Sequence, residues 1–600
     1  TAAAMVEAGV VGAAAIVTAQ EMWVTAVAAE PAAAVAAASV TMTLRLPMKP
    51  AISMATATAS VNASDARTSR ATRLPRARIP ACIAGLPGQA PALHVEHDCT
   101  PSPDEAGWLR MLANGQLART HGPFALAHEA SDGTVTLARD AIGERSLFYA
   151  LLPDGRVIYA SRLQDILATG AVARELDLAS VATYLSWSYL PGHETLVRGV
   201  YKVMPGEVVC VKNGCVTRSR WWTLPGEPEL WRDEDTLRGE LRDWLETAVR
   251  RRLPVGQAVG ATLSGGIDSS LVVALAARLH DAPVITYSVS FGAEYRNELP
   301  FSAMVARHCG VEQRIVEITP RIVMDELDTT IALLGDPIGD PLTVPNAVLF
   351  REASREVGVV LNGEGGDPCF GGPKNTPMVL AELFGDLYNG DAHRERWHRA
   401  ASYLRAHQKC YDDLAVMLAP DARAAVAHGE LEDWVTPYLE DTRWKSFVGR
   451  LMSINLLCKG AHHILGKVDA LSGPFGVLPR APLFDRDVVE TAFAMPPQLK
   501  LRGTVEKYLL KEAVRDLLPR EIIERPKSGM LVPVQGWFRG PLLPQARERL
   551  LEELAPWGLF ERGYLERLLD GRLAGIHTRR GVKIWLLITL EAWLRGVFRA

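Results

Sequence analysis

The most constraining feature of this chain is a strand, a glycine turn and a helix written into one short stretch. Val259 to Leu263 reads as a buried strand, Ser264-Gly265-Gly266-Ile267-Asp268-Ser269-Ser270 follows at once, and Ser269 to Leu279 reads as a helix. Two glycines let the backbone turn sharply and present amide groups, while the following helix offers its positive N-terminal end. Together these make an anion cradle suited to phosphate. Ser264, Ser269 and Ser270 add hydroxyl donors, and Asp268 can hold Mg²⁺ against the phosphates.

The surrounding pattern is strand-helix alternation. After a helix over Glu234 to Arg252, strands are predicted at Val284 to Val289, Gln313 to Ile318 and Val357 to Leu361, with a helix over Glu298 to His308. Such alternation implies a doubly wound parallel sheet. Beyond about Leu380 the chain reads mostly helical. Upstream, from about Pro80 to Pro225, short β-branched and aromatic runs (Thr134 to Ala138, Ser146 to Ala150, Val157 to Ala160) are separated by Asp132-Gly133 and Asp154-Gly155 turns. That is an antiparallel, β-rich domain. Pro225-Gly226-Glu227-Pro228 reads as a linker. The domains expected are thus 81–225 and 233–600, preceded by an Ala-, Val- and Thr-rich segment, 1–80, expected to be a poorly ordered extension.

At 600 residues the chain exceeds a single core. A formal charge of -4 provides no basic stripe, so no nucleic-acid partner is expected. The eight Cys residues form no CxxC pair, which fits a reducing, cytoplasmic compartment. No apolar run reaches the roughly 18 to 20 residues that span a bilayer, so no membrane association is expected. His462-His463 is expected on a helix surface.

The glycine loop matches the pyrophosphate-binding loop of ATP pyrophosphatases, and its neighbours narrow the likeness. Gly363-Glu364-Gly365-Gly366-Asp367 with Phe370-Gly371-Gly372, Lys467-Val-Asp469, Arg480-Ala-Pro482-Leu-Phe-Asp485, Glu506-Lys507-Tyr508 and Arg525-Pro526-Lys527-Ser-Gly529 follow in order. On these motifs the chain from about Asp233 resembles the synthetase half of asparagine synthetases. The resemblance implies an ATP- and Mg²⁺-dependent enzyme that adenylates a carboxylate, releases pyrophosphate and lets an amine attack the acyl-adenylate. It implies Asp268 and Asp367 as Mg²⁺ ligands, Lys527 as the cation at the reacting phosphate and Glu364 as a base for the amine. Backbone at Leu263, Val289 and Ser290 would hold adenine, with Gly365 and the Ser264-to-Ser270 loop around the phosphates.

The upstream domain resembles a class II glutaminase through Phe124-Ala-Leu, Leu137 to Tyr149, Ala160-Ser161 and Thr195 to Gly206. A working glutaminase of this class needs a free N-terminal Cys. Here Ala81-Cys82-Ile83-Ala84-Gly85 is internal, and aligning Ile-Ala-Gly places Ala81 on the nucleophile's position. The stretch from Gly85 to Gly122 is too short for the glutamine-holding segments. A degenerate domain without glutaminase activity is therefore expected. Relatives with that property resemble lasso-peptide cyclases and β-lactam synthetases, which couple a carboxylate and an amine of one substrate. The expectation is an intramolecular amide ligase acting on a peptide or small molecule, of lasso-cyclase type, with a protease or leader-peptide-handling partner. The alternatives are a glutamine-hydrolysing asparagine synthetase and a β-lactam synthetase-like cyclase. Leu478, where the family usually has an acid before Arg480, points to an altered acceptor site.

Overall fold

The structure, a computed structural model, describes residues 78–99, 102–230, 232–295, 297–372, 392–426, 430–526, 531–573 and 579–599. The expected extension therefore lies outside the described residues up to position 77, as does Lys527.

Nine strands build the first part: β1 (Cys82–Ala84), β2 (Ala92–His97), β3 (Phe124–Glu129), β4 (Val135–Arg139), β5 (Phe148–Leu151), β6 (Val157–Ala160), β7 (Val200–Lys202), β8 (Glu207–Lys212) and β9 (Cys215–Arg220). They form two antiparallel sheets, ordered β1-β6-β5-β7 and β2-β3-β4-β8-β9. The expected turns close two hairpins, with Gly133 (φ 81°) and Gly155 (φ 83°) left-handed. Asp132 and Asp154 cap them by accepting from the amides of Thr134 and Arg156. Between the sheets lie Ala127, Leu137, Tyr149, Val157, Tyr159 and Val209. Side chains alternate across a strand, so Phe148, Ala150, Ile158 and Ala160 face the other way. There they join a second core beneath helices α1 (Leu163–Ala168) and α2 (Leu178–Trp187).

The second part opens with α3 (Glu234–Arg252), whose boundaries are those expected. Asp233 caps it by accepting from the Thr236 amide; Glu234 and Asp235 occupy its first turn and Arg250 to Arg252 its last. That charge order complements the helix dipole. Strands β10 (Val259–Thr262), β11 (Val284–Ser290), β12 (Glu312–Glu317), β13 (Val359–Leu361) and β14 (Leu478–Arg480) make one sheet, ordered β12-β11-β10-β13-β14 and parallel throughout. Helices α4 (Ile267–Leu279), α5 (Leu299–Cys309) and α6 (Thr343–Ala353) cross it. Short α7 (Gly366–Phe370) follows β13. Among the described residues beyond it the chain is mostly helical, as expected, with a two-stranded pair at Leu501–Arg502 and Val505–Glu506. It includes a π-helical stretch, α8 (Asn455–Leu465), continuing into α9 (Gly466–Ser472), then α10 (Tyr508–Ala513) and the last helix, α11 (Arg580–Phe598). β14 was not expected as a strand. It carries Pro479 at the sheet edge, the position where a missing N–H is tolerated. Among the described residues no helix is long and apolar enough to cross a membrane.

The two parts share one junction. Arg480 reaches both carboxylate oxygens of Asp98, at 2.7 and 2.8 Å. Arg252 approaches Glu144 at 3.2 Å, Arg145 approaches Asp469 at 3.4 Å, and the Tyr184 hydroxyl donates to the Leu586 carbonyl at 2.9 Å. Glu227, in the segment expected to be a linker, accepts from the amides of Lys445 and Ser446. Apolar packing is continuous across the same boundary, from Phe148 and Tyr184 to Ile338 and Trp585.

Candidate active site

The loop after β10 is held open by its own hydroxyls. Ser269 Oγ accepts from the Ser264 amide at 3.1 Å and lies 3.1 Å from Ser264 Oγ. Gly265 is left-handed (φ 77°), and a Cβ there would meet the Ser302 amide nitrogen at 2.6 Å. Gly266 caps α4 with no side-chain partner, leaving the first-turn amides facing the loop. Arg525 braces the turn, donating to the Gly265 carbonyl at 3.2 Å while stacking 3.8 Å from the Phe301 ring. Gly266, Ile267, Glu506, Lys507, Lys511, Arg525 and Pro526 line a small cleft here.

The second glycine segment packs directly on the first. A Cβ at Gly363 would lie 2.4 Å from the Ser269 nitrogen, and one at Gly366 only 2.1 Å from Asp268 Oδ1. Gly365 is left-handed (φ 109°) against the backbone of Leu483. The glycines thus let two loops from neighbouring strands touch, and the contact brings Asp367 and Asp268 to one place. Between them sits Lys507, whose Nζ is 2.6 Å from Asp268 Oδ2 and 2.5 Å from Asp367 Oδ1. Lys507 is 2% exposed and itself left-handed (φ 56°), at the start of α10. An ammonium ion thus occupies the point where two carboxylates converge. Asp367 is more open, at 43% side-chain exposure, so the pair faces solvent on one side.

Glu364 lies between these loops and a cluster of cations. Burial raises its carboxyl above the usual range, opposed chiefly by Lys467 and Lys459. Lys467 is 3% exposed and contacts Asp340 at 2.5 Å, with His463 Nε2 3.7 Å from the same carboxylate. Against the effect of burial, Lys467 and His463 hold Asp340 well below the ordinary carboxylate range. Burial lowers Lys409 to about 8, and Asp340 pulls the other way. The expected surface position of His462-His463 is not found. His462 is 8% exposed and His463 turns toward Asp340, because the π-helical winding of α8 carries both inward.

Leu263, Val289 and Ser290 lie at the carboxyl ends of adjacent strands, where ligands of open parallel sheets bind. Their polar backbone is partly engaged. The Leu263 carbonyl accepts from Ser288 Oγ at 2.6 Å, and the Ser290 carbonyl from the Ile318 amide at 2.8 Å. The structure therefore packs the Ser264-to-Ser270 loop against the Gly363-to-Asp367 segment, through Gly363 on Ser269 and Gly366 on Asp268; Gly266 lines the cleft, whereas Ser270 is fully buried. Lys507, Lys467, Lys459 and Asp340 had been given no role from sequence. Lys507 and Lys467 stand inside quoted motifs; Asp340 has no local pattern that marks it.

At the other end, the register of β1 sends neighbouring residues to opposite sides. Cys82 pairs with Tyr159 of β6 and packs into the space between the two sheets, whereas Ala81 packs against the core shared with the second part.

Two family models match the chain. The family model described as asparagine synthase matches residues 240–595, and that of a glutamine amidotransferase domain matches residues 109–222, beginning downstream of β1 and β2. Asparagine synthetase (glutamine-hydrolyzing) 1 of Bacillus subtilis is 25% identical over 499 residues, covering 79% of this chain and 78% of that protein. Asparagine synthetase (glutamine-hydrolyzing) 3 of the same organism is 23% identical, covering 68% and 67%. Amidase chry2 of Gibberella zeae is 24% identical, covering 71% and 72%.

Proposed function

This chain belongs to the asparagine synthase family and is an ATP-dependent carbon–nitrogen ligase, and from that premise we propose that it adenylates a substrate carboxylate and closes it onto an amine of the same molecule. The observation that carries the adenylation chemistry is the convergence of Asp268 and Asp367 on one ammonium at the mouth of the glycine loop. Two hard oxygen donors around a bound cation suit Mg²⁺, which would screen the phosphate charges of ATP when bound. The loop amides with the hydroxyls of Ser264 and Ser269 would hold the pyrophosphate portion, whereas the Ser270 hydroxyl is buried away from it. Lys507, beside both carboxylates, would place its charge near the departing pyrophosphate. Lys527 takes the α-phosphate side, as the family resemblance implies. Glu364, with a carboxyl raised by burial, accepts the proton of the attacking amine.

Two features support an amine from the substrate itself. By the family resemblance Ala81 falls on the nucleophile's position; it packs against the shared core, and Cys82 packs between the two sheets. The matched amidotransferase segment begins at residue 109, downstream of that strand. A lasso-type peptide, in which an acidic side chain is joined to the peptide's own N-terminal amine, is the substrate class favoured. The names of the Bacillus subtilis relatives favour a second reading, glutamine-dependent asparagine synthesis.

One assay tests both. Purified protein is given ATP and Mg²⁺ with either linear precursor peptides or aspartate plus glutamine. The proposal expects AMP and pyrophosphate together with a peptide lighter by one water. Asparagine and glutamate formed in step with AMP would install the second reading instead.

A further inference from the structure

Far from the glycine loops, the two sheets of the first part meet over a group of mixed donors. Cys82 and Tyr159 come from β1 and β6 of one sheet, His94 and Glu129 from β2 and β3 of the other. Cys82 Sγ lies 3.8 Å from His94 Nε2, and that nitrogen lies 3.9 Å from Glu129 Oε1. One ligand atom from each of Cys82, His94 and Glu129 falls within 4.8 Å of the other two, the only such group among the described residues. All three side chains are half-buried, His94 at 32% exposure, so an ion has a route in from solvent.

The spacing can be compared with what a metal needs. Zinc bonds of about 2.3 Å to sulfur and about 2.0 Å to nitrogen, at a tetrahedral angle, place those two atoms roughly 3.5 Å apart. The pair at 3.8 Å therefore needs to close by only a few tenths of an ångström. Thiolate, imidazole and carboxylate together are a borderline-soft set. They suit Zn²⁺ and are wrong for Mg²⁺ or Ca²⁺, which take oxygen ligands. Tyr159 completes the arrangement by donating its hydroxyl to Glu129 Oε1, the kind of outer contact that orients a ligating carboxylate.

We propose that Cys82, His94 and Glu129 form a zinc site that staples the two sheets of the glutaminase-like part, with water in the fourth position. On binding, the Cys82 thiol forms a bond to Zn²⁺ through sulfur and releases its proton to solvent; nothing is oxidised or reduced. A staple here is useful because β1 has only three residues and is bonded on one side alone, to β6.

The test uses the full chain, stripped with chelator and dialysed. Titration with Co²⁺ should give thiolate-to-cobalt charge transfer and tetrahedral d–d absorption saturating at one equivalent. Elemental analysis after Zn²⁺ reconstitution should find one zinc per chain, and zinc should raise the melting temperature where Mg²⁺ at the same concentration does not. Cys82→Ser should abolish the charge-transfer band and His94→Ala should lower zinc affinity at least tenfold. Seven other cysteines are free in this chain, so the band surviving in Cys82→Ser would overturn the assignment. Absence of the band in the unaltered chain would overturn it as well, independently of whether any variant folds.

Discussion

Lys507 donates to Asp268 across 239 residues of chain, Nζ to Oδ2 at 2.6 Å, and this one contact ties the second half of the synthetase region to the glycine loop. Its ammonium holds two carboxylates that would otherwise repel, so the site is assembled before ATP arrives. Preassembly of charge is what makes such groups effective at a reacting phosphate.

Replacing Asp268 or Asp367 by Asn keeps the shape and removes a charge from the proposed Mg²⁺ position. Pyrophosphate release is expected to fall by about 100-fold or more in either variant, the range seen when one preorganised electrostatic group is lost. Circular dichroism should be unchanged. Lys507→Met should be as inactive, and Lys507→Arg should not rescue it, because a planar guanidinium cannot replace a point charge held between two oxygens. Wild-type release rates in any of these would remove that residue from the site.

The loop contact itself can be broken. Gly366→Ala puts a methyl group 2.1 Å from Asp268 Oδ1, and Gly363→Ala puts one 2.4 Å from the Ser269 nitrogen. The Ser269 nitrogen is backbone, and the Asp268 carboxylate is held through its other oxygen by Lys507 at 2.6 Å. Both variants should lose ATP binding by calorimetry, whereas Gly476→Ala, with nothing within 4 Å of its Cβ, should bind ATP normally despite its left-handed φ of 66°. Its cost should be confined to stability, about 1 kcal/mol or somewhat more.

How much of this was legible beforehand depended on distance along the chain. The phosphate loop was readable because strand, glycines and helix N-terminus are contiguous from Val259 to Leu279, and local rules suffice there. The partnership of Lys507 was not, since no local pattern says which buried acid a lysine will meet so many residues away. β14 was hidden by Pro479, which argues against a strand until the residue is known to sit at a sheet edge. The adjacent His462-His463 gives no sign of facing inward, and in the π-helical α8 His462 is buried and His463 lies beside Asp340. Asp340 carries no signal at all; only the fold puts it beside Lys467.

The junction between the two parts predicts a pH effect on stability. Arg252 serves two carboxylates, Asp485 at 2.5 Å and Glu144 at 3.2 Å. One cation satisfies the nearer acid first, and burial raises Glu144 to about 7, outweighing the pull of Arg252. A carboxyl raised on folding holds a proton that the unfolded chain releases. Stability from this group is therefore fully present below the ordinary glutamate range and lost as pH rises toward 7. Glu144→Gln removes the titration, so the drop in melting temperature between pH 5 and pH 8 should be smaller in the variant. An equal drop in both would place the titrating group elsewhere.

The same junction should be sensitive to Asp98. Its carboxylate accepts two hydrogen bonds from Arg480, whose side chain is 15% exposed. Asp98→Ala leaves that guanidinium with its Arg252 carbonyl contact but no countercharge. The expected loss is about 3 kcal/mol of unfolding free energy in a denaturant titration, since one partner of a largely buried pair is left uncompensated. Asp98→Ala with Arg480→Met should recover much of it, because the uncompensated charge is then gone. A double variant as unstable as the single one would mean that the pair contributes shape rather than charge.

The nitrogen source separates the proposed function from its rival. In a class II glutaminase the nucleophilic thiol is activated by its own α-amine, so the residue must be first in the mature chain. Here the register of β1 turns Ala81 toward the shared core and Cys82 toward Tyr159, between the sheets. Trimming the chain to begin at Cys82 would supply an amine one residue away from the position that the family resemblance implies for the nucleophile, and a one-residue slip sends a strand side chain to the opposite face. Glutamine should therefore yield no glutamate, in the full chain or in one trimmed to start at Cys82, whether or not ATP and an acceptor are present. Adding ammonia to aspartate and ATP should likewise give little asparagine if the amine belongs to the activated molecule. The measurement is glutamate release by coupled dehydrogenase assay beside AMP formation. Glutamate appearing in proportion to AMP would mean that another group performs the hydrolysis, and the intramolecular proposal would fall.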